Sequence, residues 1–204
     1  MKAAARAHRL RTIRLTPRFV KAVGYAARLH ATQKRKGTER PYIAHLLGVA
    51  SLVLEHGGDE DTAIAALLHD AVEDQGGRLR LDEIRRKLGS RAARIVESCT
   101  DAYTVPKPPW LRRKKKYLAK LPRASAEVRL VSAADKLHNA REILADYRRI
   151  GDALWSRFKN GKKGTLWYYR ALVEAFRAAG STPLVEELDR VVTELERLAK
   201  PLLL

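Results

Sequence analysis

The run Ala65-Ala66-Leu67-Leu68-His69-Asp70-Ala71-Val72-Glu73-Asp74 sets polar side chains directly behind an apolar helical stretch. A helix packed through Leu67 and Leu68 carries His69 and Asp70 toward the interior. A carboxylate buried without a partner is costly, so something must neutralise Asp70. A divalent cation does that, and adjacent His and Asp side chains can both reach one ion. Glu73 lies one turn beyond His69 and Asp74 one turn beyond Asp70. Further carboxylates therefore stand beside the first, where an attacking water can give up its proton.

Two other stretches place polar residues inside apolar helices. Pro41-Tyr42-Ile43-Ala44-His45 starts a helix after a Gly-containing loop. By itself His45 reads more often as a structural hydrogen-bonder than as a ligand. Ala133-Ala134-Asp135-Lys136-Leu137-His138-Asn139 lies within a long helix, and Asp135 and Asn139 share a face at i and i+4. Alone, Asp135 reads as one half of a buried ion pair with a neighbouring Lys or Arg.

Working outward, the periodicity is helical nearly everywhere and no run alternates as a strand does. Thr16-Pro17 is an N-cap followed by proline at the first helical position, with Phe19, Val20, Val23, Ala26, Ala27 and His30 on one face. Residues 37–41 break the chain, and a second helix over 42–56 ends at Gly57-Gly58. Asp59 caps a third, closed by Gly76-Gly77. Shorter helices over 81–88 and 91–103 flank Gly89. Residues 105–109 hold three prolines and form a loop. A strongly basic helix over 110–121, a long one over 126–150 and an aromatic one starting near Leu166 follow. The last opens at Ser181-Thr182-Pro183 and carries Leu184, Leu188, Val191, Leu195 and Leu198 as an apolar stripe. The expectation is an all-α, single-domain bundle of about ten helices. A basic arm occupies 1–15 and the domain 16–180. The helix over 181–204 packs on that domain or on a partner chain.

The 204 residues suffice for one buried core, and 46% hydrophobic with 31% charged residues is ordinary for a globular chain. Lys and Arg number 41 against 23 Asp and Glu, a formal net charge of +18. That excess suits polyanions: nucleic acid, anionic lipid or a multiply phosphorylated small molecule. Charge alone does not choose among them, and a solubility feature or coding bias explains it equally well. No apolar run approaches the roughly 18 residues of a membrane span. Residues 1–14 are basic but lack the apolar core of a secretory signal, leaving a targeting peptide or a frayed arm. Cys99 is the sole cysteine, so there is no intrachain disulfide and a reducing, cytoplasmic setting fits.

An isolated His, a His-Asp pair and a distant Asp, in this order and spacing, resemble the HD superfamily of metal-dependent phosphohydrolases. Arg35-Lys36-Gly37 ahead of Pro41-Tyr42-Ile43 and His45 narrows the resemblance, as do Val72-Glu73-Asp74, Thr100-Asp101 and Ala134-Asp135-Lys136-Leu137-His138-Asn139. Together these are similar to the hydrolase domain of RelA/SpoT-type enzymes and the small alarmone hydrolases, over residues 19–176. The resemblance implies that His45, His69, Asp70 and Asp135 ligate one ion, Mn²⁺ in the family. A mixed N/O set does not exclude Fe, Co or Zn. It implies that Glu73 and Asp74 position and deprotonate the attacking water. The reaction implied removes the 3′-pyrophosphate of guanosine tetra- or pentaphosphate, giving GDP or GTP and pyrophosphate. Arg35 and Lys36 would lie near the base, Asn139 would contact the nucleoside, and Tyr168 would line the same pocket or simply pack in the core. Of the basic run 112–116, usually a solvated face, Arg113 or Lys116 would face the phosphates.

Some positions depart from the family pattern. Leu46 stands where Pro is common, Gln75 where Thr is usual, and Glu142 where bifunctional members often carry Thr. These leave the base open, so an adenosine alarmone, a deoxynucleotide or NADPH is the alternative substrate. With no room after Leu204 for a synthetase or regulatory domain, a stand-alone hydrolase is expected. A basic nucleic-acid-binding helical protein is the alternative of another class. It predicts salt-dependent binding that survives His69→Ala and Asp70→Ala.

Overall fold

The computed structural model describes residues 13–100 and 108–200. Most of the expected basic arm, Asp101, the far end of the 91–103 helix and much of the proline loop lie outside them. Helix α1 (Pro17–Leu29) is capped by the Thr16 side chain, which accepts from the Arg18 amide. It buries Ala22, Tyr25 and Ala26, with His30 buried just past its end. Val20, expected on that inner face, is 70% exposed; the face turned inward is that of Ala22, Tyr25 and Ala26.

Helix α2 (Tyr42–Glu55) ends where Gly57 adopts φ 81° and the Gly58 amide donates to the Val53 carbonyl at 2.8 Å. Asp59 then caps α3 (Glu60–Leu68), its carboxylate accepting from both the amide and hydroxyl of Thr62. Thr62 to Leu68 are all buried, so α3 is the central rod, packed by α1, by α2 and by two later helices. It does not run on to Gly76 as expected. His69 bonds its ring Nδ1 to the Ala66 carbonyl, taking an acceptor the next turn would need, and a four-residue α4 (Ala71–Asp74) restarts the helix. The pair His69-Asp70 therefore occupies a corner.

Helix α5 (Gly77–Leu88) begins four residues before the expected start, since positive φ at Gly76 and Gly77 makes the turn. Helix α6 (Ser90–Cys99) stops at Thr100, which is extended at φ −68° and ψ 124°. Helix α7 (Trp110–Lys120) leads through a 3-10 turn, Leu121–Arg123, into α8 (Ala126–Ile150), capped by Ser125. A second 3-10 turn, Gly151–Arg157, precedes α9 (Gly161–Ala178). The lysine-rich segment expected as a turn is the first turn of α9, where the Thr165 hydroxyl donates back to the Gly161 carbonyl. Helix α10 (Pro183–Ala199) lays Leu184, Leu188, Val191 and Leu195 against α8 and α9. Among the described residues no strand forms; Lys34 and Pro41 make one isolated bridge. The first turn of α2, the end of α3 and the middle of α8 meet around one point, and that point is the site.

Candidate metal centre and nucleotide pocket

Each proposed ligand sits on an element that fixes it. His45, on the first turn of α2, is 1% exposed, His69 at the end of α3 is 5% exposed and Asp135 in mid-α8 is 6% exposed. Asp70 faces a cavity. His45 Nε2 lies 3.3 Å from Asp135 Oδ1 and 3.9 Å from Asp70 Oδ2. His69 Nε2 lies 3.5 Å from Asp135 Oδ1 and 3.1 Å from Asp70 Oδ2. Ligand atoms of His45, His69 and Asp70 fall within 4.8 Å of one another.

Both Nε2 atoms are buried with no well-aligned hydrogen-bond partner. Leaving such atoms unsatisfied is expensive, and two imidazole nitrogens with two carboxylates converging on one spot are the donor set of a divalent cation. The residues present therefore fit an ion. The remaining valences are supplied by neighbours, as metal ligands require. His69 gives its Nδ1–H to the Ala66 carbonyl at 2.8 Å, which keeps Nε2 free. Tyr42 donates its hydroxyl to Asp70 Oδ2 at 2.5 Å. Asp135 accepts from Asn139 Nδ2 on one oxygen and from Lys136 Nζ on the other. The ion-pair reading of Asp135 is thus visible on Oδ2, while Oδ1 faces the two histidine nitrogens.

The electrostatics follow. Burial lowers the His45 pKa, only partly offset by Asp135. Burial acts the same way on His69, but Asp70 and Asp135 override it and raise that imidazole. Burial works against ionising Asp70 and Asp135, yet His69 beside Asp70, and Lys136 and His69 beside Asp135, hold both carboxyls below the usual range. Cys99, close by, is pushed up to about 11 by burial and stays a thiol.

Two cavities flank the cluster. One, of about 160 Å³, is lined by His69, Asp70, Glu73, Lys114, Lys136 and Tyr168. The other, of about 420 Å³, is lined by Arg35, Lys36, Asp74, Glu142, Arg157 and Tyr169. Asn139 lines both. Glu73 and Asp74, read from sequence as one pair, are divided between them. Asp74 Oδ2 accepts from Gln33 Nε2 at 2.9 Å. Tyr168 lines the metal-side cavity together with Asn139, and its neighbour Tyr169 lines the other. Arg35 lies over the Tyr42 ring at 5.3 Å, donates from Nε to Glu142 Oε2 at 3.0 Å and also reaches Asn139.

Sequence reasoning missed the cations of the smaller cavity. Arg113 donates to the Pro108 carbonyl and Lys116 borders a separate hollow beside Thr100. Lys114 and Lys136 enter instead, their Nζ atoms 5.0 Å and 5.5 Å from the ring centres of Tyr168 and Tyr117. Helical spacing held the signal: Lys114 shares the inward side of α7 with Trp110 and Tyr117, and Lys136 adjoins Asp135. Gln33 carried no motif and was not legible.

The family model for the HD domain matches residues 22–165, which include His45, His69, Asp70 and Asp135. The chain belongs to the HD domain family. As an HD domain it carries the residues for a divalent metal. Among its relatives is guanosine-3′,5′-bis(diphosphate) 3′-pyrophosphohydrolase MESH1 of Xenopus tropicalis, 42% identical over 128 residues, 61% of this chain and 69% of that one. The Homo sapiens MESH1 is 41% identical over the same shares. A solved structure described as a metazoan ortholog of SpoT that hydrolyzes ppGpp superposes with a TM-score of 0.74 at 23% identity, covering 93% of this chain and all of the other. That likeness shows the HD-type helical fold.

Proposed function

We propose that this HD domain hydrolyses guanosine-3′,5′-bis(diphosphate), releasing pyrophosphate from the 3′ position. The carrying observation is the convergence of two bare imidazole nitrogens and two carboxylates between a lysine-lined cavity and a larger one. Relatives at about that 40% level bear the name of this activity. His45, His69, Asp70 and Asp135 would hold the ion, with Mn²⁺ our choice on the family resemblance. When bound, the ion supplies a Lewis acid for a phosphoryl oxygen and a water of lowered pKa.

The chain's own residues supply the rest. Lys114 and Lys136 meet the negative charge of the 3′ phosphates, where fixed cations in a closed cavity gain most. Burial alone would lower the Lys136 pKa, but Asp135 raises it, so it stays charged. Glu73, on the same cavity wall as the ligands, takes the proton of the attacking water, and Asp74, held by Gln33, orients that water from the other side. Arg35, Lys36 and Asn139 hold the nucleoside, with Tyr168 closing the phosphate end. The cytoplasm is the compartment we assign, in keeping with a single, half-buried free thiol at Cys99.

Incubating the purified chain with Mn²⁺ and guanosine tetraphosphate should release GDP and pyrophosphate in equal amounts. Absence of turnover with the ion demonstrably bound removes this reading. One observation favours testing a second: Arg35 is committed to Glu142 and Tyr42. Base stacking therefore requires that pair to open. A panel ranked by kcat/KM, with adenosine alarmone, deoxynucleotide and NADPH beside the guanosine substrate, separates the two.

A further inference from the structure

We propose that His138 is a positioning residue for the ion: it accepts the Nδ1–H of His45 and so aims His45 Nε2 at Asp70 and Asp135. This rests on the reading that the cluster holds a metal. His45 Nδ1 and His138 Nδ1 are 3.0 Å apart, and their rings meet edge to face at 72° with centres 4.8 Å apart. A neutral imidazole carries one ring hydrogen. If Nε2 of His45 is the bare ligating nitrogen, the hydrogen is on Nδ1, and His138 Nδ1 is the acceptor it meets. His138 in turn must present a lone pair at Nδ1 and keep its hydrogen on Nε2. Ligating histidines generally give their second ring N–H to such an outer partner, which fixes both tautomer and ring plane.

A second observation makes the same point. Gly48 sits inside α2, one turn beyond His45, with no positive φ, so conformational freedom does not explain it. A glycine in mid-helix is less favourable than alanine. Its missing side chain is the slot for His138: a Cβ there would fall 2.3 Å from His138 Nε2 and 2.4 Å from Cδ2. The opposite side of the ring is bounded by Glu142, whose Oε2 is 3.8 Å from His138 Nδ1 and is itself held by Arg35. The ring is thus held between a clearance in α2 and a carboxylate of its own helix.

The test compares His138→Ala, His138→Gln, which keeps an acceptor, and Gly48→Ala, which closes the slot. Mn²⁺ affinity is read by calorimetry, the visible spectrum of the Co²⁺ form reports ligand geometry, and metal-free melting reports folding. His138→Ala and Gly48→Ala should each weaken Mn²⁺ binding by about 10–100-fold and alter the Co²⁺ spectrum, with His138→Gln recovering most of the loss. Folded His138→Ala and Gly48→Ala that bind as the parent does, or a glutamine variant as poor as the alanine one, overturn the proposal. Should His138→Ala not fold, the other two variants decide it. A parent chain that takes up neither ion overturns both the proposal and the metal reading. A parent that binds the ion but hydrolyses no nucleotide overturns the function alone.

Discussion

Asp135 divides its two oxygens between different tasks: Oδ1 faces the histidines and Oδ2 is neutralised by Lys136. Asp135→Asn should take the charge off Oδ1, lower the Lys136 pKa and cut turnover by more than the roughly 10–100-fold that loss of an outer partner costs. Steady-state kinetics with metal analysis checks it. Glu73→Gln should leave Mn²⁺ affinity in place and lower kcat by about 10²–10⁴-fold, the range for a lost general base. The metal-free cluster also has a definite pH behaviour. A histidine whose pKa is raised, as His69 is, gives stability that is whole below the unfolded value of about 6.5 and is lost as pH rises through its folded value. The ion needs that same nitrogen unprotonated. Mn²⁺ affinity should therefore climb with pH and uptake should release protons, measurable by calorimetry in buffers of different ionisation enthalpy.

At the scale of the elements, the caps at Thr16 and Asp59 and the helix opening at Ser181-Thr182-Pro183 were legible because each sets a short polar side chain ahead of a periodic run. The corner at His69-Asp70 was not, since it depends on a ring nitrogen reaching a carbonyl three residues back. Likewise the order and spacing of His45, His69, Asp70 and Asp135 carried the expectation that they would come together, and the structure does bring them together. The division of Glu73 from Asp74, and of Tyr168 from Tyr169, between the two cavities depends on which way each helix is rotated. The second glycine after α2 has a steric reason: a Cβ on Gly58 would lie 2.4 Å from Val53 Cγ1 and 2.8 Å from the Val53 carbonyl. Gly58→Ala should therefore lower the melting temperature, by a stability loss of more than about 1 kcal/mol. Leu67→Ala, within the buried Thr62 to Leu68 stretch of α3, should cost about 2–5 kcal/mol in denaturant unfolding.

Across the whole molecule, helices are tied by arginines placed between carboxylates: Arg91 with Asp59 and Glu127, and Arg170 with Asp189 and Glu196. Burial raises the pKa of Asp59 and Asp189, but hydrogen bonds from Thr62 and Arg91, and from Arg170 and Arg177, more than reverse it. Groups held low in the fold contribute stability above their unfolded pKa of about 4 and lose it as pH falls through the folded value. Asp189→Asn should accordingly lower the melting temperature near neutrality and flatten the acid limb of the profile, the two proteins converging as pH falls through the folded value. The two cavities meeting at Asn139 have a kinetic consequence as well. On the proposed placement each leaving fragment would occupy a chamber of its own, so neither would obstruct the other's seat. GDP and inorganic pyrophosphate should then inhibit together rather than in place of one another, giving intersecting lines when their concentrations are varied jointly.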